Sequence, residues 1–324
     1  MKNIILVSIV VLTSACFICY LYNKDEKEIN KVELLERGNN KSSNRITKHF
    51  NMLIVPDLSN RIEKAKPISD LDIIYEILDN ISYKYLKTQN RRIGQQDRFQ
   101  IGFTNQSIIN KHNVNKSNLL IDFSRFDKQR NRIEYLSGKN EVRNLSSDLN
   151  IFKCELERNY KSASKEIVGA DIYTFLKKLN SSVILPKGIL SNKITEDGRV
   201  LKHEYRNVII LLTDGYIEAD RYTGDYIEKC IYPNLSQERI NSFRSDFEKN
   251  NKGRTLKQFF IDRCYGITAV DNSLLSQTEI LVLELDDRSV NNNGNATEDI
   301  TDLDIIKLFW TDWLTKSNVK KFKL

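Results

Sequence analysis

Two short segments carry residue types whose spacing suggests chemistry. In 51–61, NMLIVPDLSNR, an apolar run ends on Asp57, with Ser59 and Arg61 two and four residues on. In 207–216, NVIILLTDGY, a second apolar run ends on Thr213-Asp214-Gly215. Asp57, Ser59 and Asp214 offer only oxygen donors, which suits a hard divalent cation that keeps several waters. A third segment, Gly169-Ala170-Asp171, opens a helical pattern of Ile172, Phe175, Leu176 and Leu179. Asp171 stands there as a helix cap or as a further carboxylate ligand. The bland alternative is that Asp, Ser and Asn after a strand, and Asp-Gly, are ordinary turn residues. Either motif alone is weak. Their occurrence in order, on two strand ends with a helix start between them, is more specific.

These residues need elements to hold them. Fully apolar runs bounded by turn residues suit parallel strands buried on both faces. In an open parallel sheet the loops leaving the carboxyl ends of the strands form the ligand crevice, so Asp57 and Ser59 are expected to face Asp214 there. Pro67 is placed to open a helix, with Ile68, Leu71, Ile74, Tyr75, Leu78, Ile81 and Tyr85 at helical spacing. A strand is expected over 98–104, candidate strands over 118–123 and 132–136, and a helix near 148–160. The segment 187–205 reads as a polar loop with an Asp197-Gly198 hairpin signal. Helical patterns follow near 236–249 and 255–264, then a strand over 278–286. An amphipathic helix over 302–315, carrying Trp310 and Trp313, closes the chain. This alternation predicts an α/β fold: a doubly wound, mostly parallel sheet with helices on both faces.

A strand ending in Asp-x-Ser-x-Ser, with a later strand ending in Thr-Asp-Gly, resembles the von Willebrand factor A domain, and the resemblance spans about 48–324. It implies a metal-ion-dependent adhesion site, with Mg²⁺ or Mn²⁺ held above the sheet and completed by an acidic residue of a protein partner. Carried over, the metal residues are Asp57, Ser59 and Asp214. Ala170 stands where the family has a threonine ligand, so that ligand is missing unless Asp171 replaces it. The first motif departs from the family, reading Asp-x-Ser-x-Arg. Arg61 removes one hydroxyl. It either pairs with Asp57 or Asp214 in place of the ion, since a guanidinium fork matches carboxylate oxygens, or points away into the loop.

The leading reading is therefore a binding module rather than an enzyme, acting in adhesion or in assembly of an envelope complex. Against a metal-dependent hydrolase or phosphotransferase, Asp57 lacks a second acid two residues on. The chain also has no Gly-x-Ser-x-Gly elbow and no phosphate-cradling Gly-x-x-x-x-Gly-Lys. An inert scaffold with a degenerate site is the third reading. With 40% apolar and 29% charged residues in 324, a substantial core is available. The net charge of +7 is mild and intermixed, and no nucleic-acid-binding signature accompanies it. Residues 105–165 carry a surplus of basic side chains without aromatic interleaving, read as a solvated insertion. A second insertion is read around 218–263.

The segment 4–22 is uncharged and spans about 28 Å as a helix, close to the thickness of bilayer hydrocarbon. It reads as an anchor, with Tyr20 and Tyr22 at the interface, in preference to a lipoprotein signal cleaved before Cys16. A polar linker over 23–48 then lifts a domain over 49–324 off the membrane, on the extracytoplasmic side. Cys154, Cys230 and Cys264 leave two readings open: one bridge plus a free thiol, or three thiols. His49, His112 and His203 lack zinc-type spacing and read as surface or loop residues.

Overall fold

A computed structural model describes residues 46–59, 69–80, 94–104, 111–140, 143–163, 170–185, 193–194, 200–218, 233–291 and 293–324. The apolar N-terminal stretch with Cys16, the linker to residue 45, Arg61, Gly169 and Cys230 lie outside the described residues. Seven strands are described: β1 Ile46–Pro56, β2 Arg98–Ile101, β3 Leu120–Asp122, β4 Lys193–Ile194, β5 Val200–Leu212, β6 Thr278–Leu283 and β7 Lys321–Lys323. Their order is β3-β2-β1-β5-β6-β7, with β4 paired beside β5. The pairs β1/β2, β1/β5, β5/β6 and β6/β7 are parallel. The edge pair β2/β3 and the short β4/β5 hairpin are antiparallel. The chain runs outward from β1 through β2 to β3, then returns to place β5 on the other flank of β1. The strand order reverses between β1 and β5, which is where open α/β sheets bind ligands.

Strand alternation explains why helices cover both faces. In β1, Phe50, Met52 and Ile54 join one core, while Leu53 and Val55 join the other. In β5, Val208, Ile210 and Leu212 face the first core, and Ile209 and Leu211 the second. The first core is closed by α1 (Asp70–Asn80), α2 (Gln129–Ser137) and α3 (Leu145–Ala163). The second is closed by α4 (Ile172–Lys177), α5 (Gln237–Asn250), α6 (Leu256–Asp262) and α7 (Asp302–Lys316). Trp310 and Trp313 are both fully buried, with ring centroids 5.1 Å apart at 70°. The α/β class and the mostly parallel, doubly covered sheet match the expectation.

Several local expectations are corrected. Residues 132–136 form part of helix α2, not a strand: Gly138 stops the helix in the left-handed region at φ 73° and donates its N–H to the Glu134 carbonyl. Helix α1 is described from Asp70, where Asp72 N–H donates to the Ser69 hydroxyl and Ser69 donates back to the Asp72 carboxylate; Pro67, Ile68, Ile81 and Tyr85 lie outside the described residues. Residues 200–205, read as loop, belong to β5, because β1 starts at Ile46 and extends its pairing with β5 down to Lys202. His49, read as surface, is 1% exposed and accepts the Gln96 N–H on Nδ1. Cys264 is disulfide-bonded, with its partner outside the described residues, and Cys154 is a free, exposed thiol.

Candidate functional site

The carboxyl ends of β1 and β5 lie side by side, with Pro56 opposite Leu212. The next residues extend the ladder: Asp57 N–H donates to the Leu212 carbonyl at 2.9 Å, and Thr213 N–H donates to Leu283 at 3.1 Å. Asp57 is 1% exposed. Its carboxylate accepts the Thr213 hydroxyl at 3.0 Å and the Ser59 N–H at 2.9 Å, contacts that offset the cost of burying a charge. Ser59 is half-buried at the rim. Thr213 thus orients Asp57 across the strand pair, and its hydroxyl also accepts the Gly215 N–H at 3.2 Å.

Asp214, the second motif acid, is 6% exposed. Its Oδ1 accepts the Tyr216 N–H at 3.2 Å, and its Oδ2 pairs with the Arg288 guanidinium at 2.9 Å. Arg288 comes from the loop after β6, which is tied down where Asp286 N–H donates to the Asp214 carbonyl at 3.0 Å. The guanidinium also lies 3.5 Å from the centroid of the Tyr216 ring, within cation–π range. Burial works against the Arg288 charge, but the Asp214 carboxylate outweighs it and holds the guanidinium pKa above its ordinary value.

Behind this pair lies a second layer. Tyr216 donates its hydroxyl to Asp302 at 2.9 Å, and Asp302 is gripped by Arg244 and by Gln237 Nε2 at 2.8 Å. Burial alone would raise the Asp302 pKa, yet hydrogen bonds from Gln237, Arg244 and Tyr216 keep it below the ordinary 3.8. The Tyr216 phenol is pushed well up, by burial first and then by its bond to Asp302. Asp302 sits in the first turn of α7, where helix polarity favours an acid, and its N–H donates to the Ser289 hydroxyl at 2.9 Å. Gly215, at φ 93°, turns the chain between the layers. A Cβ there would meet Ile306 at 2.7 Å and Leu285 at 2.8 Å, so only glycine fits.

Asp57, Ser59 and Asp214 therefore stand at adjacent strand ends, as the motifs imply. Asp171 is an N-cap: its Oδ1 accepts the Thr174 N–H at 3.0 Å at the start of α4. Among the described residues, no group of three or more His, Cys, Asp or Glu side chains is arranged to hold a metal ion. Both carboxylate oxygens of Asp214 already accept hydrogen bonds, from a backbone amide and from Arg288, so the described residues do not by themselves form a ligand set for Mg²⁺ or Mn²⁺. The sequence reading missed Arg288, Tyr216, Asp302 and Arg244. The run Asp286-Asp287-Arg288, in the loop that follows β6 beside β5, is the signal that points to Arg288.

Fold and site together define an α/β protein with a polar, charge-paired cluster at the switch point of a mostly parallel sheet. No family model, curated protein or solved structure gives a significant match to the chain.

Proposed function

We propose that this chain is a membrane-tethered binding module of the von Willebrand factor A type, whose crevice at the ends of β1 and β5 docks a protein partner. The observation that carries this reading is the meeting of the two motifs at the switch point, with Thr213 joined to the buried Asp57 at 3.0 Å. The strand order, with helices on both faces, supports the doubly wound fold of that family. The disulfide at Cys264 supports a compartment outside the cytoplasm, because such bonds persist in oxidising surroundings. A hydrolase or phosphotransferase is disfavoured: no base is bonded to the Ser59 hydroxyl among the described residues, and Asp57 is committed to Thr213.

In the metal-assisted form of this reading, Asp57, Ser59 and Asp214 are the residues that would hold a divalent cation, and only once the Asp214 carboxylate is released from Arg288. Capture by the full-length protein from solubilised native membranes tests the reading. We expect a partner held by the wild type to be lost from Ser59→Trp, which fills the rim, while thermal unfolding stays unchanged. Capture unaffected by that substitution, or ester or phosphoester turnover abolished by Asp57→Asn, would contradict it. An arm with chelator shows whether the docking needs a metal.

A further inference from the structure

The positive charge that the resemblance assigns to a metal ion is supplied on Asp214 by the chain itself. Among the described residues Arg288 makes the only salt bridge to Asp214, and the pair is well enclosed, the two side chains being 29% and 8% exposed. The guanidinium is held by two contacts and by a fixed backbone. Asp214 binds Nη2 at 2.9 Å, the Tyr216 ring lies beneath it, and its neighbours in sequence are fixed. Ser289 donates to Asp287 at 2.5 Å and accepts the Asp302 N–H at 2.9 Å, which pins the backbone on the carboxyl side of Arg288. A side chain held in this way is pre-organised rather than sampling solvent. Glu218 adds a further negative potential at the guanidinium, so the surroundings favour a cation there.

We propose that Arg288 is the built-in counter-ion of this crevice, seated on Asp214 where a divalent cation would bind, so that a metal gains the site only by displacing it. The inference rests on the crevice being the binding site and adds what controls its charge. A metal ion on Oδ2 of Asp214 would be repelled by the guanidinium already seated there, so the two compete for that oxygen. Removing the guanidinium leaves Asp214 without that compensation and should create a site for a hard ion or tighten one.

Mn²⁺ binding to the full-length protein, followed by electron paramagnetic resonance, tests this directly. Relative to wild type, Arg288→Met should bind Mn²⁺ roughly tenfold more tightly or better, as expected for loss of an enclosed, charge-assisted pair. Adding Asp214→Asn to that variant should abolish the gain. Arg288→Lys, which keeps the charge, should stay as weak as wild type. Should Arg288→Met not fold, Arg288→Gln repeats the comparison with a polar side chain lacking charge. Equal Mn²⁺ affinity in wild type and the uncharged variant would overturn the proposal, leaving a metal-assisted crevice with Arg288 as a bystander. Absence of Mn²⁺ binding from both would overturn the proposal and the metal-assisted form of the binding reading together.

Discussion

At the scale of single residues, the crevice depends on a few positions that tolerate little change. Gly215→Ala combines a left-handed backbone with a Cβ placed 2.7 Å from Ile306. We expect it to cost about 2–4 kcal/mol in urea denaturation, from backbone strain plus overpacking. Asp302 is the second such position, because Arg244 is buried against it. Asp302→Asn leaves that guanidinium without its counter-charge and should cost about 3–5 kcal/mol at neutral pH. The pH dependence follows from the lowered Asp302 pKa. A carboxylate with a depressed folded-state pKa stabilises above its unfolded value, here the ordinary 3.8, and that stability is lost as pH falls through the folded value. The acid limb of the stability curve should therefore steepen below about pH 4 and be shallower in Asp302→Asn. An acid limb identical in the two proteins would remove Asp302 from the explanation.

At the scale of elements, the central strands carry their own register device. Asn51 in β1 donates to Asn207 in β5 at 2.7 Å, and the pair also binds the carbonyls of Val183 and Leu185, clamping the loop after α4 onto the sheet. Asn207→Leu should cost about 1–3 kcal/mol by stranding buried partners. It should also speed amide exchange at Leu185, whose N–H donates to Asn207 at 3.1 Å. Unchanged exchange would show that the loop is held by something else. This device also marks how far the sequence could be read. The apolar runs before Asp57 and Asp214 were legible because burial on both faces demands unbroken hydrophobicity, and Asn51 and Asn207 only mark where those runs begin. Helix α2 was not legible, because Ile133, Tyr135 and Leu136 mimic a short strand and the deciding feature is the Gly138 cap. Strand β7 is three residues, two of them lysine, and exists only through its pairing with β6. Arg288 was hidden for a related reason. An arginine in a polar loop has no periodicity, and its partner Asp214 is 74 residues away in sequence.

At the scale of the whole molecule, the site sits over a sheet packed on both faces by separate hydrophobic cores. The Trp310 indole donates to the Gly215 carbonyl at 2.8 Å, which ties α7 to the Asp214 turn. Reducing the disulfide, or Cys264→Ser, should lower stability by about 2–4 kcal/mol, read as a drop in melting temperature. A reduced protein of unchanged stability would argue against a structural role for the bond. The most direct test of the central claim, that partners dock where β1 and β5 end, is site-specific photocrosslinking in cells. A photoreactive residue at Ser59 should yield a discrete adduct that weakens when Asp214→Asn is added, while the same probe at exposed Ile261 on α6 yields none. An adduct at Ile261 but not at Ser59, or one at Ser59 indifferent to Asp214, would contradict it.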